Sequence, residues 1–124
     1  MTSKGSKSRI KWEGDSNAEI RSWPGDVKSD IGLKLHSLDQ QTGDFVGKPM
    51  GKGIHQLSEQ DKDFWYRLLY WLNAGWIYVL HCFTKTSNKT AKRDLDKALD
   101  RIKAVKERKD SPYVDEEKEE TKSA

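Results

Sequence analysis

The chain has one cysteine, three prolines and three histidines in 124 residues, and these scarcities close off whole classes of protein. A lone Cys82 excludes an internal disulfide framework, and with three scattered histidines it cannot furnish a standard zinc site. No metal or cofactor is expected. Long apolar runs are missing too. The longest are broken by Arg67, Asn73 and His81, well short of a membrane span, so no membrane association is expected. Residues 1–8 hold Ser, Lys and Gly with no apolar stretch behind them, which is not a secretory signal. A single cytoplasmic domain is the expectation, since this length has no room for two ordinary ones.

Enzyme signatures are equally sparse. The glycine-rich residues 43–53 contain GKPMGKG, which is neither a P-loop nor a dinucleotide fingerprint. There is no nucleophile elbow and no HExxH. The carboxylates fall on helices and tails rather than beside aromatic strands, which argues against a glycosidase-like acid pair.

What is present is charge, unevenly spread, and aromatic rings in the middle. Charged residues make up 35% of the chain and hydrophobic ones 34%, so part of the polarity must sit in tails. The five tryptophans argue against full disorder. Residues 84–109 carry ten bases against four acids, whereas from Asp110 the chain turns acidic through DEEKEE. Such a basic segment fits a polyanion partner as well as it fits a solvated helix face.

Periodicity outlines the elements. Residues 9–12 form a short strand candidate. Ser16 and Glu19 have capping-box spacing for a short helix that ends before Pro24. Val27, Ile31, Leu35 and Leu38 predict an amphipathic helix to about Gln41, followed by a loop over 42–53. Residues 54–58 form a weaker strand, with a turn over 59–63. Residues 64–72 and 76–83 form a hairpin about Asn73-Ala74-Gly75. From Thr90, the apolar steps at Ala91, Leu95, Ala98, Ile102 and Val105 make the stripe of a final helix. The fold class is α+β, a small and mostly antiparallel sheet with two N-terminal helices and one C-terminal helix.

Chemistry is left to cations near rings. Arg67 interrupts an apolar strand, so its guanidinium must be paired or must face a groove. Alternation places it with Trp65 and Leu69, opposite Tyr66, Leu68 and Tyr70. The next strand presents His81, Phe83 and Lys85 near its exit. Lys89, Lys92 and Arg93 follow, and Lys48 and Lys52 join the same surface if the glycine-rich loop folds back. Cations for phosphates beside rings for splayed bases are what single-stranded RNA binding needs. Plainer readings stand beside this one: Arg67 paired with Glu59, Asp61 or Asp63, His81 as a structural histidine, and Trp65, Trp71, Trp76 and Tyr78 as core.

YVLHCFTKTSNKTAKRDLDKALDRIK, over residues 78–103, resembles the phage-derived toxin family of the HigB/RelE superfamily. KWEGDSNAEIRSWPGDVKSDIGLKLHSLDQ is similar to that family's first strand and helical hairpin. GKPMGKGIHQL is similar to its loop and second strand, and WYRLLYW to its arginine-bearing strand. The resemblance spans roughly residues 9–108. It implies a toxin domain over 9–110 between a disordered basic tail, 1–8, and a disordered acidic tail, 111–124.

The resemblance also implies a function: a type II toxin held by an antitoxin, often of the helix-turn-helix kind, that cuts mRNA at the ribosome as an endoribonuclease. Arg67, Lys85 and His81 would be catalytic, with Arg67 on the phosphorane and Lys85 moving the proton. Lys48, Lys52, Lys89, Lys92 and Arg93 would bind RNA. Two departures are visible: Gln56 and Ser58 stand where relatives tend to carry an acid and an arginine, and the usual double lysine is Lys85-Thr86. They leave open a non-catalytic binder of antitoxin or nucleic acid. A gyrase-directed toxin on the same fold is the third reading.

Overall fold

The computed structural model describes residues 8–40, 47–87 and 89–115. In chain order the elements are β1 (Ile10–Trp12), α1 (Ser16–Arg21), α2 (Gly25–Asp39), β2 (Lys48–Gly51), β3 (Ile54–Gln60), β4 (Trp65–Asn73), β5 (Trp76–Lys85) and α3 (Lys92–Glu107). The strands form one sheet in the order β1-β5-β4-β3-β2. β1 runs parallel to β5, and every other neighbouring pair is antiparallel.

The sheet separates two cores. On one face Ile20, Trp23, Val27, Ile31 and Leu35 of α1 and α2 with the connection between them meet Leu57, Tyr66, Leu68, Tyr70, Ile77, Val79 and Cys82. On the other, Ala98, Ile102 and Val105 of α3 cover Ile54, Leu69, Tyr78, Leu80 and Phe83. The stripe read in α3 and the alternation read in β4 are therefore the two sides of this arrangement. Burial pushes the Cys82 thiol far above its ordinary range, so it packs as a small apolar group.

Several local expectations are corrected. Ser16 does not cap α1; Asp15 precedes the helix without a side-chain cap, and the buried Ser16 hydroxyl donates to Val79 O at 3.1 Å. Glu19 accepts instead from Trp23 Nε1 at 3.2 Å. Of the loop expected over 42–53, residues 42–46 lie outside the described residues. The remainder is edge strand β2 and a tight turn in which Gly51, Lys52 and Gly53 have φ of 95°, 56° and 84°. Glycines flanking Lys52 make that left-handed turn affordable to the backbone. β3 runs to Gln60, beyond the expected end at 58. α3 starts at Lys92, leaving Thr90 outside it.

The acidic tail was expected from 111, yet residues 111–115 pack. Val114 exchanges two hydrogen bonds with the Asn73 side chain, at 2.8 and 2.9 Å, and the Tyr113 ring stacks on Trp71 at 6.0 Å. Residues 116–124 and 1–7 lie outside the described residues. Among the described residues no helix is long and apolar enough to cross a membrane.

Candidate functional site

The side of the sheet that carries α3 also carries the chemistry, and register explains why. Ser58 pairs with Arg67, which pairs with Phe83; Trp65 pairs with Lys85. Leu69 pairs with His81, but Tyr70 pairs with Val79, so Leu80 is an extra residue on β5. That bulge shifts the alternation by one. Strict alternation would put His81 and Phe83 on the α1–α2 face with Val79. Instead they share the Arg67 face, stacked ring on ring at 4.7 Å.

Arg67 is 4% exposed. Its Nη1 donates to Ser58 Oγ at 2.5 Å, and its guanidinium carbon lies 4.8 Å from the centre of the Trp65 ring. Burial pushes its pKa down from the ordinary value, yet a guanidinium remains charged at neutral pH. The carboxylates offered as alternative partners are engaged elsewhere in two cases: Glu59 with Lys34 at 2.6 Å, and Asp61 with the amides of its own turn. Beside Arg67 opens a cleft of about 320 Å3 lined by Lys48, Met50, Gln56, Ser58, Lys89 and Thr90. Thr90 Oγ1 donates to Gln56 Oε1 at 2.6 Å, tying the segment before α3 to β3 across the cleft. Gln56 and Ser58, in sequence only departures from the family pattern, are walls of this cleft, and so is Thr90, which precedes α3 rather than opening it.

Lys85 lines a different cleft, of about 370 Å3, with Phe64, Thr84, Thr86, Ser87 and Arg93. Its ammonium lies 3.5 Å from Asp94 Oδ2, so its near neighbour is an anion. His81 lines neither cleft. Its Nε2 meets Asp94 Oδ1 at 3.0 Å, and Asp94 itself is buried. Lys48 and Lys89 thus join Arg67, and Arg93 joins Lys85. Lys52 sits at the β2–β3 turn, and Lys92 is an exposed partner of Asp96 at 2.8 Å. Of the basic segment 84–109, Arg101 and Arg108 are structural ties: Arg101 to Leu80 O and Asp15, Arg108 by two bonds to the buried Glu13. No cluster of three or more His, Cys, Asp or Glu among the described residues could hold a metal.

His81 gives the fold a pH dependence. Burial pushes its pKa below 6.5, with Asp94 opposing and Arg101 and Lys97 reinforcing. The unfolded chain therefore binds a proton that the folded chain resists, and stability falls as pH drops below about 6.5. Chemical denaturation at about pH 7.5 and about pH 5.5 should show a lower midpoint at the acid value, and His81→Gln should reduce that difference.

A small, mostly antiparallel sheet with paired N-terminal helices on one face and a C-terminal helix on the other is the RelE-like class of fold. The chain is similar to E. coli toxin RelE, solved as a double arginine mutant in the free state. The identity is 16% and the TM-score 0.58, over 77% of this chain and 97% of that one. Residues 18–103 match the family described as phage derived protein Gp49-like, and the chain belongs to that family, within the RelE/HigB toxin superfamily. A search of curated proteins found no match.

Proposed function

We propose that the chain is the toxin of a type II toxin–antitoxin pair and that it cleaves mRNA at the Arg67 cleft. The observation that carries this reading is the convergence of Arg67, Lys48 and Lys89 with the Ser58 and Thr90 hydroxyls around one cleft. In the reaction the ribose 2′ oxygen bonds to the neighbouring phosphorus and the bond to the 5′ oxygen breaks, with no metal taking part. A base takes the 2′ proton and an acid supplies one to the leaving oxygen. The planar Arg67 fork, fixed by Ser58 and Trp65, suits two oxygens of the phosphorane. Arg67 keeps its proton, so Lys48 and Lys89 are the cleft's groups for exchanging one. Lys85, expected in that role, is held by Asp94 and faces the neighbouring cleft. His81 acts through Asp94, as a positioning residue.

Membership of a toxin family implies an antitoxin. We assign it to the helix-turn-helix kind and place substrate and partner in the cytoplasm, with mRNA engaged on the ribosome. Binding across so cationic a cleft should weaken with salt. A non-catalytic binder is favoured by one observation: among the described residues, the lining of the Arg67 cleft includes neither a histidine nor a carboxylate.

Primer extension on a reporter mRNA translated in a purified system decides between them. The expected result is discrete cuts with the wild-type chain. Intact mRNA, with RNA still bound, would select the binder; supercoiling inhibition without cleavage would select the gyrase-directed reading.

A further inference from the structure

We propose that the second cleft, lined by Phe64, Thr84, Lys85, Thr86, Ser87 and Arg93, is a flanking-nucleotide subsite, in which Phe64 stacks a base of single-stranded RNA and Arg93 with Lys85 holds the adjoining phosphate. The inference rests on the RNA reading of the Arg67 cleft and extends it to a site that reads the strand beyond the cut.

Phe64 is 42% exposed, and among the described residues the other exposed large apolar side chains are the aliphatic Leu33 and Leu72. Its presentation is built. Asp61 Oδ1 accepts the Phe64 and Asp63 amides at 2.8 and 2.9 Å, and the Asp61 amide donates to Phe64 O at 3.0 Å. Asp61 Oδ2 accepts the Tyr66 hydroxyl at 2.8 Å, and the Phe64 ring rests edge-on to Tyr66 at 6.2 Å. One carboxylate thus locks the turn, and one ring braces the other, so stacking costs little additional ordering.

The surroundings favour RNA over an apolar peptide. Among the described residues, the lining apart from Phe64 is two cations and three hydroxyl-bearing side chains, suited to phosphate and ribose. Phe64 stands at the entry of β4, three residues before Arg67 and about 10 Å away along the chain; its ring packs with Tyr66, on the side of the strand opposite Arg67, so a strand of RNA that touches both passes over the end of β4. Trp65, which carries the Arg67 guanidinium on its face, lies between.

The test uses a labelled, fully 2′-O-methylated RNA octamer, which cannot be cut, with binding read by fluorescence anisotropy. The proteins are the full-length wild type, Phe64→Leu, Phe64→Tyr and Arg67→Ala, each confirmed folded by circular dichroism. Phe64→Leu should weaken binding about tenfold, within the range of base–aromatic stacking, and Phe64→Tyr should bind as wild type does. Replacing one base of the octamer by an abasic unit should weaken wild type and leave Phe64→Leu nearly unaffected at that position. Leucine binding as well as phenylalanine would overturn the proposal, because an apolar contact of the kind a protein partner makes would then suffice. Tyrosine failing to restore binding would overturn it too. Loss of binding on Arg67→Ala with no effect at Phe64 would remove this subsite and leave the Arg67 reading standing. A wild-type chain that binds no RNA would remove both.

Discussion

Arg67→Ala should lower mRNA cleavage about a hundred- to thousandfold, the loss typical of removing one preorganised donor to a transition-state oxyanion. The magnitude follows from how the side chain is held. Its guanidinium is nearly sealed from water, bonded to Ser58 and stacked on Trp65, so its charge acts through a medium that screens it weakly. Arg67→Lys should recover little, since a point charge on a flexible stem reproduces neither the fork nor the stacking. Single-turnover rates at saturating protein separate two roles. A fall in the rate constant places Arg67 on the phosphorane; a fall in affinity alone makes it a phosphate anchor. Thermal unfolding of each variant guards against reading a folding defect as a catalytic one.

The largest stability effect should come from Asp94→Ala. Asp94, in the first turn of α3, reaches across to β5 and meets His81 at 3.0 Å and Lys85 at 3.5 Å. The Lys85 and Asp94 side chains are 15% and 12% exposed, so removing the carboxylate strands an ammonium with little water. Breaking such a buried pair costs about 3–5 kcal/mol. For a domain of this size that corresponds to a drop of about 15 °C or more in the melting temperature. Lys85→Met combined with Asp94→Ala should regain part of the loss, because the stranded charge is then gone as well. Additive losses in the double variant would mean that the pair is not what holds α3 to the sheet.

Much of this architecture was legible because it rests on periodicity. The apolar steps of three and four announce α2 and α3, while the hairpin of β4 and β5, buried on both faces, announces itself through aromatic and β-branched runs about a glycine turn. The placement of Trp65 and Arg67 opposite Tyr66, Leu68 and Tyr70 followed from strand alternation. Three features left no such trace. β2 is an edge strand of mostly exposed residues, and its pairing depends on backbone hydrogen bonds and a glycine-flanked turn rather than on apolar alternation. The Leu80 bulge is a register event between two chains of hydrogen bonds, and no residue type marks it. The parallel contact of β1 with β5 joins segments far apart in sequence.

The site was legible by residue type and less so by grouping. Arg67, Lys48 and Lys89 do converge, but Lys85 turns to Asp94, a residue that reads in sequence as an ordinary acid in a helix's first turn. Phe64 looked like the opening residue of a strand; only its exposure in the folded chain singles it out.

That distant strand pairing also sets a clock. Ile10 lies opposite Ile77, so the first strand to leave the ribosome has no neighbour until 67 more residues have been made. At about 5–20 residues per second the wait is roughly 3–13 s. The Arg67 cleft is later still, since Lys89 and Thr90 close it and α3 must follow to cover the sheet beneath. A nascent chain thus has no complete Arg67 cleft until the segment before α3 has been made.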